Sequence, residues 1–323
     1  MTLERCIVRR LLQVCAIVCA CVLICLSPYP RVSADSEPIR SQLPGGTLER
    51  AIRSGGALTE LVPAQLPLQE GERLVYNIRV NGLSAGKTQL LVKKCEKCNE
   101  DGPATWVIEM ETRSNRAVSL FYNVESGARS YVDVKGGFSR FYHIIKKEGD
   151  VKTEEKISFK YDIGDMEATY ERPRSEPSDE ERKWRIHKIP LTSKVLDPLC
   201  ALYYLRSIDF KLLCPGNTSL SNQESACTIS LPICADREVW NTRITVLPPG
   251  IAVGDFGSLR HRKYVKIRPE IEFKGLFERK GTMLVWLDLE TRIPLKMEVE
   301  VPIGHAEVLL SEYENSPLRP ANK

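Results

Sequence analysis

Apolar and polar residues alternate near the end of the chain. From residue 292 to residue 301 charged residues occupy most even positions, and the apolar positions are Ile293, Leu295, Met297, Val299 and Val301. A side-chain period of two predicts a strand with one face on a core and the other in water. Residues 284–287 are apolar on both faces, and the alternation resumes at 306–310 after a turn at Gly304. Residues 281–310 therefore predict three antiparallel strands.

The same period recurs through most of the chain. Residues 71–80 and 88–92 alternate on either side of Asn81 and Gly82, a pair that favours a two-residue hairpin turn. Further strands are predicted at 106–112, 118–125, 128–134, 139–147, 153–162, 166–170, 184–189, 229–234, 238–247, 260–268 and 273–279. The charged, proline-containing residues 171–183 predict an exposed loop between two of them.

One segment has a helical pattern. Asp197 is a favourable N-cap, and Pro198 suits the first helical position because the missing N–H has no partner there in any case. Apolar residues then follow at helical spacing, which predicts a helix from Pro198 to about Ile208.

Together these elements predict a mainly β protein, with residues 70–313 forming one domain and residues 314–323 a polar tail. We expect one antiparallel sheet, strongly curved or closed into a partial barrel, with one principal α-helix packed on its concave side. Two sheet lobes hinged near Asp197 are the alternative. In the first arrangement residues 281–310 form the wall against the helix, and Trp286, Ile293 and Leu295 are candidate lining residues. At the bend of that wall we expect an ion pair between Asp288 and Arg292.

The N-terminus has the layout of a secretory signal peptide. Basic residues precede an apolar run at 11–26, and Val32, Ser33 and Ala34 supply small residues at a cleavage point. We predict a signal peptide over residues 1–34 and export to the periplasm or cell envelope, with no transmembrane segment left after cleavage. An uncleaved anchor and a lipoprotein modified at Cys21 are the alternatives. Residues 35–69 are rich in Pro, Gly and Ser and predict a flexible lead-in.

The charge gives no indication of a nucleic-acid partner. The formal net charge is +4, and residues 1–34 carry four arginines against Glu4, so residues 35–323 are near +1. No stripe of Lys and Arg interrupts the mixed charges.

Six cysteines follow the predicted signal peptide, and an even number in an exported chain is typical of disulfides. They are Cys95, Cys98, Cys200, Cys214, Cys227 and Cys234. Bridges between Cys95 and Cys98, between Cys200 and Cys214, and between Cys227 and Cys234 suit their positions, although six cysteines allow 15 pairings. For Cys95 and Cys98, a metal shared with distant cysteines or a redox pair are the alternatives.

A series of short segments, in order along the chain, resembles the bacterial exported family called domain of unknown function 3108. The matching residues are Gly71 to Tyr76, Gly82, Ala85, Gly86, Asp197 to Leu199, Ala201 to Arg206, Pro249, Gly250, Val285, Trp286, Asp288, Arg292, Ile293, Pro294 and Gly304. The resemblance implies a cell-envelope β protein, and no activity is established for the family. Its sheet is similar to the helix-plugged half-barrels of periplasmic lipoprotein carriers, a likeness of fold that does not transfer function. This chain departs from the family by carrying Cys200 and the insertion between Cys214 and Cys234.

The candidate ligand-binding residues are Arg206, Tyr203, Tyr204 and Trp286. A guanidinium at the end of a helix packed into the sheet requires a partner, and an anionic headgroup would supply one. The alternative is an internal ion pair with a carboxylate such as Asp197 or Asp288, or capping of the helix C-terminus.

No catalytic or cofactor motif is present. The chain has no Walker loop, dinucleotide fingerprint or His-Glu-x-x-His, and we predict no catalytic residue, no metal site and no cofactor. The first hypothesis is a non-catalytic carrier that binds a lipid-like or amphipathic molecule between helix and sheet. The second is a structural or assembly factor that contacts another envelope protein. An enzyme acting on envelope polymers is the third.

Overall fold

The computed structural model describes residues 66–95, 104–162, 164–173, 184–210, 228–270, 283–301 and 304–315. These residues form one antiparallel sheet, with strands ordered β8-β7-β6-β5-β4-β3-β2-β1-β14-β13-β12-β11-β10-β9. The strands are β1 (Arg73–Val80), β2 (Leu83–Cys95), β3 (Thr105–Ser114), β4 (Val124–Asp133), β5 (Ser139–Glu148), β6 (Val151–Asp162), β7 (Asp165–Pro173), β8 (Trp184–Pro190), β9 (Thr228–Ala235), β10 (Glu238–Phe256), β11 (Leu259–Glu270), β12 (Met283–Asp288), β13 (Pro294–Val301) and β14 (Gly304–Glu314). The prediction of a mainly β protein built on one antiparallel sheet is confirmed.

The sheet is open, and its first and last strands are neighbours. β1 pairs with β14 from Arg73 opposite Glu314 to Val80 opposite Ala306, and β2 pairs on the other side of β1. Every other strand pairs with the strand that precedes or follows it in sequence, down to β8 at one edge and β9 at the other. The described strands therefore form a single sheet, whereas the alternative of two hinged lobes predicted two sheets.

Alternation of side chains gives the sheet a core face and an opposite face. On β12, Val285 and Leu287 are at most 2% exposed, whereas Trp286 between them is only half-buried. β13 and β14 repeat the pattern, with Met297 and Val308 buried. Because each fully buried aliphatic side chain contributes about 1.5–3 kcal/mol, this regular set of inward positions fixes which face of each strand meets the core.

The described residues contain two α-helices, α1 (Arg116–Ser119) and α2 (Pro198–Leu205). The Asn115 side chain accepts a hydrogen bond from the N–H of Val118 at 2.9 Å and starts α1. The prediction of a strand from residue 118 is therefore wrong at its beginning, and β4 starts at Val124. α2 begins as predicted and ends at Leu205; the chain then continues to Ile208 in hydrogen bonds between residues three apart, a tighter turn than an α-helix.

α2 is anchored by the carboxylate of Asp197, which is fully buried. One oxygen accepts from the backbone N–H of Leu199 at 2.9 Å, as a helix N-cap does. The other accepts from the hydroxyls of Ser130 and Ser139, at 2.5 and 2.6 Å. Leu196, just before the cap, bridges to Ile233 on β9. The start of α2 is thus bound to β4, β5 and β9.

The bend between β12 and β13 is fixed differently from the prediction. Asp288 accepts from the backbone N–H of Thr291 at 2.8 Å and from the guanidinium of Arg262 at 2.7 Å. Arg292 has a left-handed backbone, with a φ of 58°, and its guanidinium lies 3.5 Å from Asp209. The expected ion pair between Asp288 and Arg292 is therefore wrong, because each side chain has another partner.

Within the described part of the chain, no helix is long and apolar enough to cross a membrane. The signal peptide, most of the lead-in and most of the polar tail lie outside the described residues, and those predictions stay predictions.

Candidate functional site

Arg206 forms a closed ion pair with Glu72, the residue before β1. Its Nη1 lies 2.6 Å from Glu72 Oε1 and its Nη2 lies 2.8 Å from Oε2, so the two groups meet in the bidentate geometry that favours guanidinium and carboxylate. Both side chains are 1% exposed. The guanidinium carbon also lies 4.8 Å from the centre of the Tyr203 ring.

The environment of this pair keeps the guanidinium charged. Burial lowers the pKa of Arg206, but the bonds to Glu72 raise it by more, and the net change is upward. The pKa of Tyr203 is raised well above its ordinary value by burial and by the neighbouring charge of Glu72. The pKa of Tyr76 on β1 is raised by the same two causes, burial first and the charge of Glu72 second. Both phenols therefore remain neutral.

Two of the four candidate ligand-binding residues, Arg206 and Tyr203, come together here, and a third, Tyr204, is buried on the same helix. Arg206, Tyr203 and Tyr204 are at most 2% exposed, so the guanidinium is closed off from solvent. The internal ion pair, given above as the alternative, is the arrangement found. Its partner is Glu72 rather than Asp197 or Asp288. Sequence reasoning missed Glu72 because 134 residues separate the two, and its only signal was its place in the segment Gly71 to Tyr76.

Trp286, the fourth candidate, lies on the opposite face of the sheet. Lys266 on β11 and Lys296 on β13 place their ammonium groups 5.4 and 5.2 Å from its ring. Each contact of this kind contributes about 0.5–1 kcal/mol at a partly exposed site. Trp286 is thus held by cations on both sides and shares no contact surface with Arg206.

A pocket of about 340 Å³ opens beside Trp286. Its apolar lining is Trp286, Phe256, Tyr264 and Leu309, and its polar lining includes Asp255, Lys296 and Glu307. The volume lies near the lower end of the roughly 300–1,000 Å³ range of small-molecule sites.

The end of the β10–β11 hairpin closes one side of this pocket. Gly257, with a φ of 58°, forms the hairpin turn, and a Cβ there would lie 3.8 Å from the Leu309 side chain on β14. Phe256, beside the turn, packs edge-on against Tyr264 with 5.3 Å between ring centres. The hairpin therefore reaches past β12 and β13 to β14, and glycine permits the left-handed backbone of the turn.

The polar side of the pocket is a network of charges. Lys296 Nζ lies 2.5 Å from Glu298 and 2.7 Å from Glu307. Burial lowers the pKa of Lys296, and its two carboxylate partners raise it by more, so the ammonium persists. The pKa of Asp255 is lowered, chiefly because its carboxylate accepts from the backbone N–H of His261 at 2.8 Å. Lys266 has no carboxylate partner within the ranges given above.

This lining suits binding better than catalysis. An indole, a phenol and a phenyl ring supply stacking surfaces, and ammonium and carboxylate groups at one side orient a polar head. The lining residues that the structure describes include no Ser, Thr, Cys or His. A hydroxyl or thiol nucleophile of the Ser, Thr or Cys type, with a His as its base, is therefore not assembled from them.

The sequence did not predict a second buried cluster of charged residues, which surrounds Glu155. Glu155 on β6 is 2% exposed and lies near Lys146, Tyr170 and Asp236, which come from β5, β7 and the β9–β10 turn. Burial raises the pKa of Glu155 to about 7, against smaller opposing effects of Lys146 and Arg172. The residues are spread over some 90 positions of sequence, so only the fold brings them together.

The cysteines differ in part from the prediction. Cys200 and Cys234 are free and buried, so the bridges proposed for these two are wrong. Cys95 ends β2, whereas Cys98, Cys214 and Cys227 lie outside the described residues. Across the described ranges no group of three or more His, Cys, Asp or Glu side chains is placed to hold a metal ion.

Comparison with known proteins gives a family and a similar solved structure. A family model described as Protein of unknown function (DUF3108) matches residues 75–311. No curated protein matches the chain. A crystal structure described as a beta-barrel-like protein of domain of unknown function DUF1849, from Brucella abortus, is 11% identical in sequence. The likeness covers 79% of this chain and 98% of that one, with a TM-score of 0.46.

Proposed function

Because the chain belongs to the family described as Protein of unknown function (DUF3108), which names no activity, we propose a function from the chain's own residues. We propose that it is a non-catalytic binding protein of the bacterial cell envelope. It carries an amphipathic molecule in the pocket beside Trp286. Export, as expected from residues 1–34, would place it in the periplasm or envelope, where such molecules require carriers.

The observation that supports this proposal is the composition of the pocket. Trp286, Phe256 and Tyr264 offer aromatic surface to an apolar body, and Lys266 and Lys296 flank the same indole. Lys296 is already neutralised by two carboxylates. Lys266 lies beside the same indole, outside the residues that line the pocket, and has no carboxylate partner among the described residues, so we propose that it attracts an anionic head. The ligand class that fits is an aromatic or aliphatic body with one acidic group.

The site therefore differs in position from the sequence-based hypothesis. A ligand between α2 and the sheet would have to reach Arg206, whose guanidinium is buried and paired with Glu72. On the opposite face the pocket is open beside a half-buried indole, so a ligand can enter without disturbing the core.

We also propose that the sheet bends around α2. β4 and β9 both contact α2, although nine places separate them in the sheet. In a flat sheet nine spacings of about 4.8 Å would put these strands roughly 43 Å apart. A helix of eight residues is only about 12 Å long, so simultaneous contact requires curvature.

A titration with 8-anilinonaphthalene-1-sulfonate tests the proposal, since this probe has an aromatic body and one anionic group. Trp286→Ala should weaken its binding by about tenfold or more, the usual effect of removing a central aromatic contact. Trp184→Ala is the matched control, because Lys156 lies 4.3 Å over that indole on edge strand β8, away from the pocket. Equal affinities of both variants and the wild type would refute the pocket as the binding site.

A further inference from the structure

Four large apolar side chains project from one end of the sheet. They are Leu83 at the start of β2, Leu120 and Phe121 after α1, and Val151 at the start of β6, and they are 73%, 79%, 72% and 63% exposed. We refer to them as the apolar rim. Exposure of this extent costs free energy in water, and neighbouring exposed apolar side chains commonly mark an interaction surface.

Hydrogen bonds join the three connections that carry the rim. The backbone N–H of Asn115 donates to the carbonyl of Ala85 at 2.8 Å, which joins the β3–β4 connection to the β1–β2 hairpin. The N–H of Gly149 donates to the carbonyl of Asn123 at 2.8 Å, which joins the β5–β6 turn to the same connection. The rim is thus one continuous, ordered edge, and these backbone groups are already paired.

The rim is also flanked by more basic than acidic residues. Over residues 81–87, 113–125 and 147–153 there are five basic side chains, Lys87, Arg113, Arg116, Lys147 and Lys152, against Glu125, Glu148 and Asp150, a net charge of +2. Arg113 pairs with Glu125 and Lys87 with Glu312. Arg116, Lys147 and Lys152 form no ion pair with any described residue.

We propose that the apolar rim docks on the surface of a bilayer that contains anionic phospholipid. Apolar side chains at turn ends can enter the boundary between headgroups and acyl chains, while nearby Lys and Arg attract the anionic headgroups. Projecting tips on three turns fit a deformable lipid surface better than the flat patch of a protein interface. The hydrogen-bonded backbone behind them adds few unpaired polar groups to be buried.

Flotation with vesicles tests this proposal in the full-length chain. Vesicles of phosphatidylcholine with about one quarter phosphatidylglycerol should retain the wild type, and pure phosphatidylcholine should retain less. The double variant Leu120→Ser, Phe121→Ser should lose binding roughly 10- to 100-fold. Every variant keeps the same N-terminal segment, so any membrane affinity of residues 11–26 is common to all.

Ile251→Ser with Val253→Ser is the matched control, since these β10 side chains are 40% and 58% exposed and lie away from the rim. It should bind vesicles as the wild type does, and thermal melting should show all variants folded. Vesicle binding unchanged by the rim substitutions, or absent in the wild type, would overturn the proposal. A dimer that only the rim substitutions dissociate, without vesicle binding, would also overturn it and assign the rim to a second copy of the chain.

Discussion

Replacing Arg206 by Met removes one partner of the ion pair that joins α2 to the start of β1. Glu72 would then hold a carboxylate at 1% exposure with neither of its two short bonds, of 2.6 and 2.8 Å, to the guanidinium. Leaving one charge of a buried pair without its partner costs about 3–5 kcal/mol. Because both groups are buried, solvent screening gives no reason to reduce that figure.

The expected effect is large relative to the stability of a domain. A loss of about 3–5 kcal/mol is a substantial part of the usual 5–15 kcal/mol, and at 2–4 °C per kcal/mol it lowers the melting temperature by roughly 6–20 °C. Urea unfolding followed by circular dichroism measures it as a lower midpoint at unchanged slope. Arg113→Met is the matched control, since Arg113 and Glu125 are a surface pair, 67% and 51% exposed, and its loss should change stability by less than about 1 kcal/mol.

A second substitution separates the ion pair from simple packing. Glu72→Leu combined with Arg206→Met removes both charges, and an apolar pair of similar volume is often as stable as the ion pair. The double variant should therefore recover most of the stability lost by Arg206→Met. A loss below about 1 kcal/mol in the single variant, or no recovery in the double variant, would refute the structural role of Arg206.

Three further predictions follow from other buried groups. Burial raises the pKa of Glu155 from 4.5 to about 7, so the folded protein keeps a proton that the unfolded chain has lost in this window. The free energy of unfolding should fall by about 3 kcal/mol as pH rises from roughly 4.5 to 7; Glu155→Gln should flatten the slope, and equal slopes would contradict the assignment. Asp197→Ala removes the N-cap of α2 and the acceptor of two buried hydroxyls, and urea unfolding should show a loss of about 3 kcal/mol or more, against less than 1 if the network is dispensable. Burial raises the pKa of Cys200, and that of Cys234 to about 12, so iodoacetamide at pH 8 should label neither until urea unfolds the protein; peptide mapping that finds either of these two cysteines labelled in the folded protein would contradict their burial.

The strands that could be predicted are those whose burial is one-sided. The alternation from Ile293 to Val301 located β13, and the resumption at Ala306 located β14, because a period of two specifies both the strand and its core face. Trp286 could not be placed in this way. Residues 284–287 are apolar at every position, so the pattern did not indicate which of them face the core.

The start of α2 was predictable because its cap is local. Asp197 is close in sequence to the backbone N–H groups of Leu199 and Cys200, from which its side chain accepts hydrogen bonds, and Pro198 is the first residue of the helix. The partners that hold the helix in place are not local: Ser130 and Ser139 bind Asp197 from β4 and β5, and Glu72 binds Arg206 from before β1. Only pairing of the strands brings these side chains to the helix.

The β3–β4 connection was predicted wrongly. Its apolar residues from Val118 to Tyr122 suggested a strand, but Asn115 caps one helical turn, and Leu120 and Phe121 face solvent. An apolar run predicts a strand only if its side chains are assumed to be buried. The structure shows exposure instead, and this exposure is the basis of the proposed membrane contact.

The most direct test of the binding site uses the four tryptophans, Trp106, Trp184, Trp240 and Trp286, whose labelled indole N–H groups give separate signals in a nitrogen-15 NMR spectrum. Substitution of Trp286 by Phe identifies its signal, and 8-anilinonaphthalene-1-sulfonate is then added to the wild type. We expect the Trp286 signal to shift with saturation while the other three stay in place. A bound probe that moves another indole and leaves Trp286 unchanged would contradict a ligand pocket on this face of the sheet.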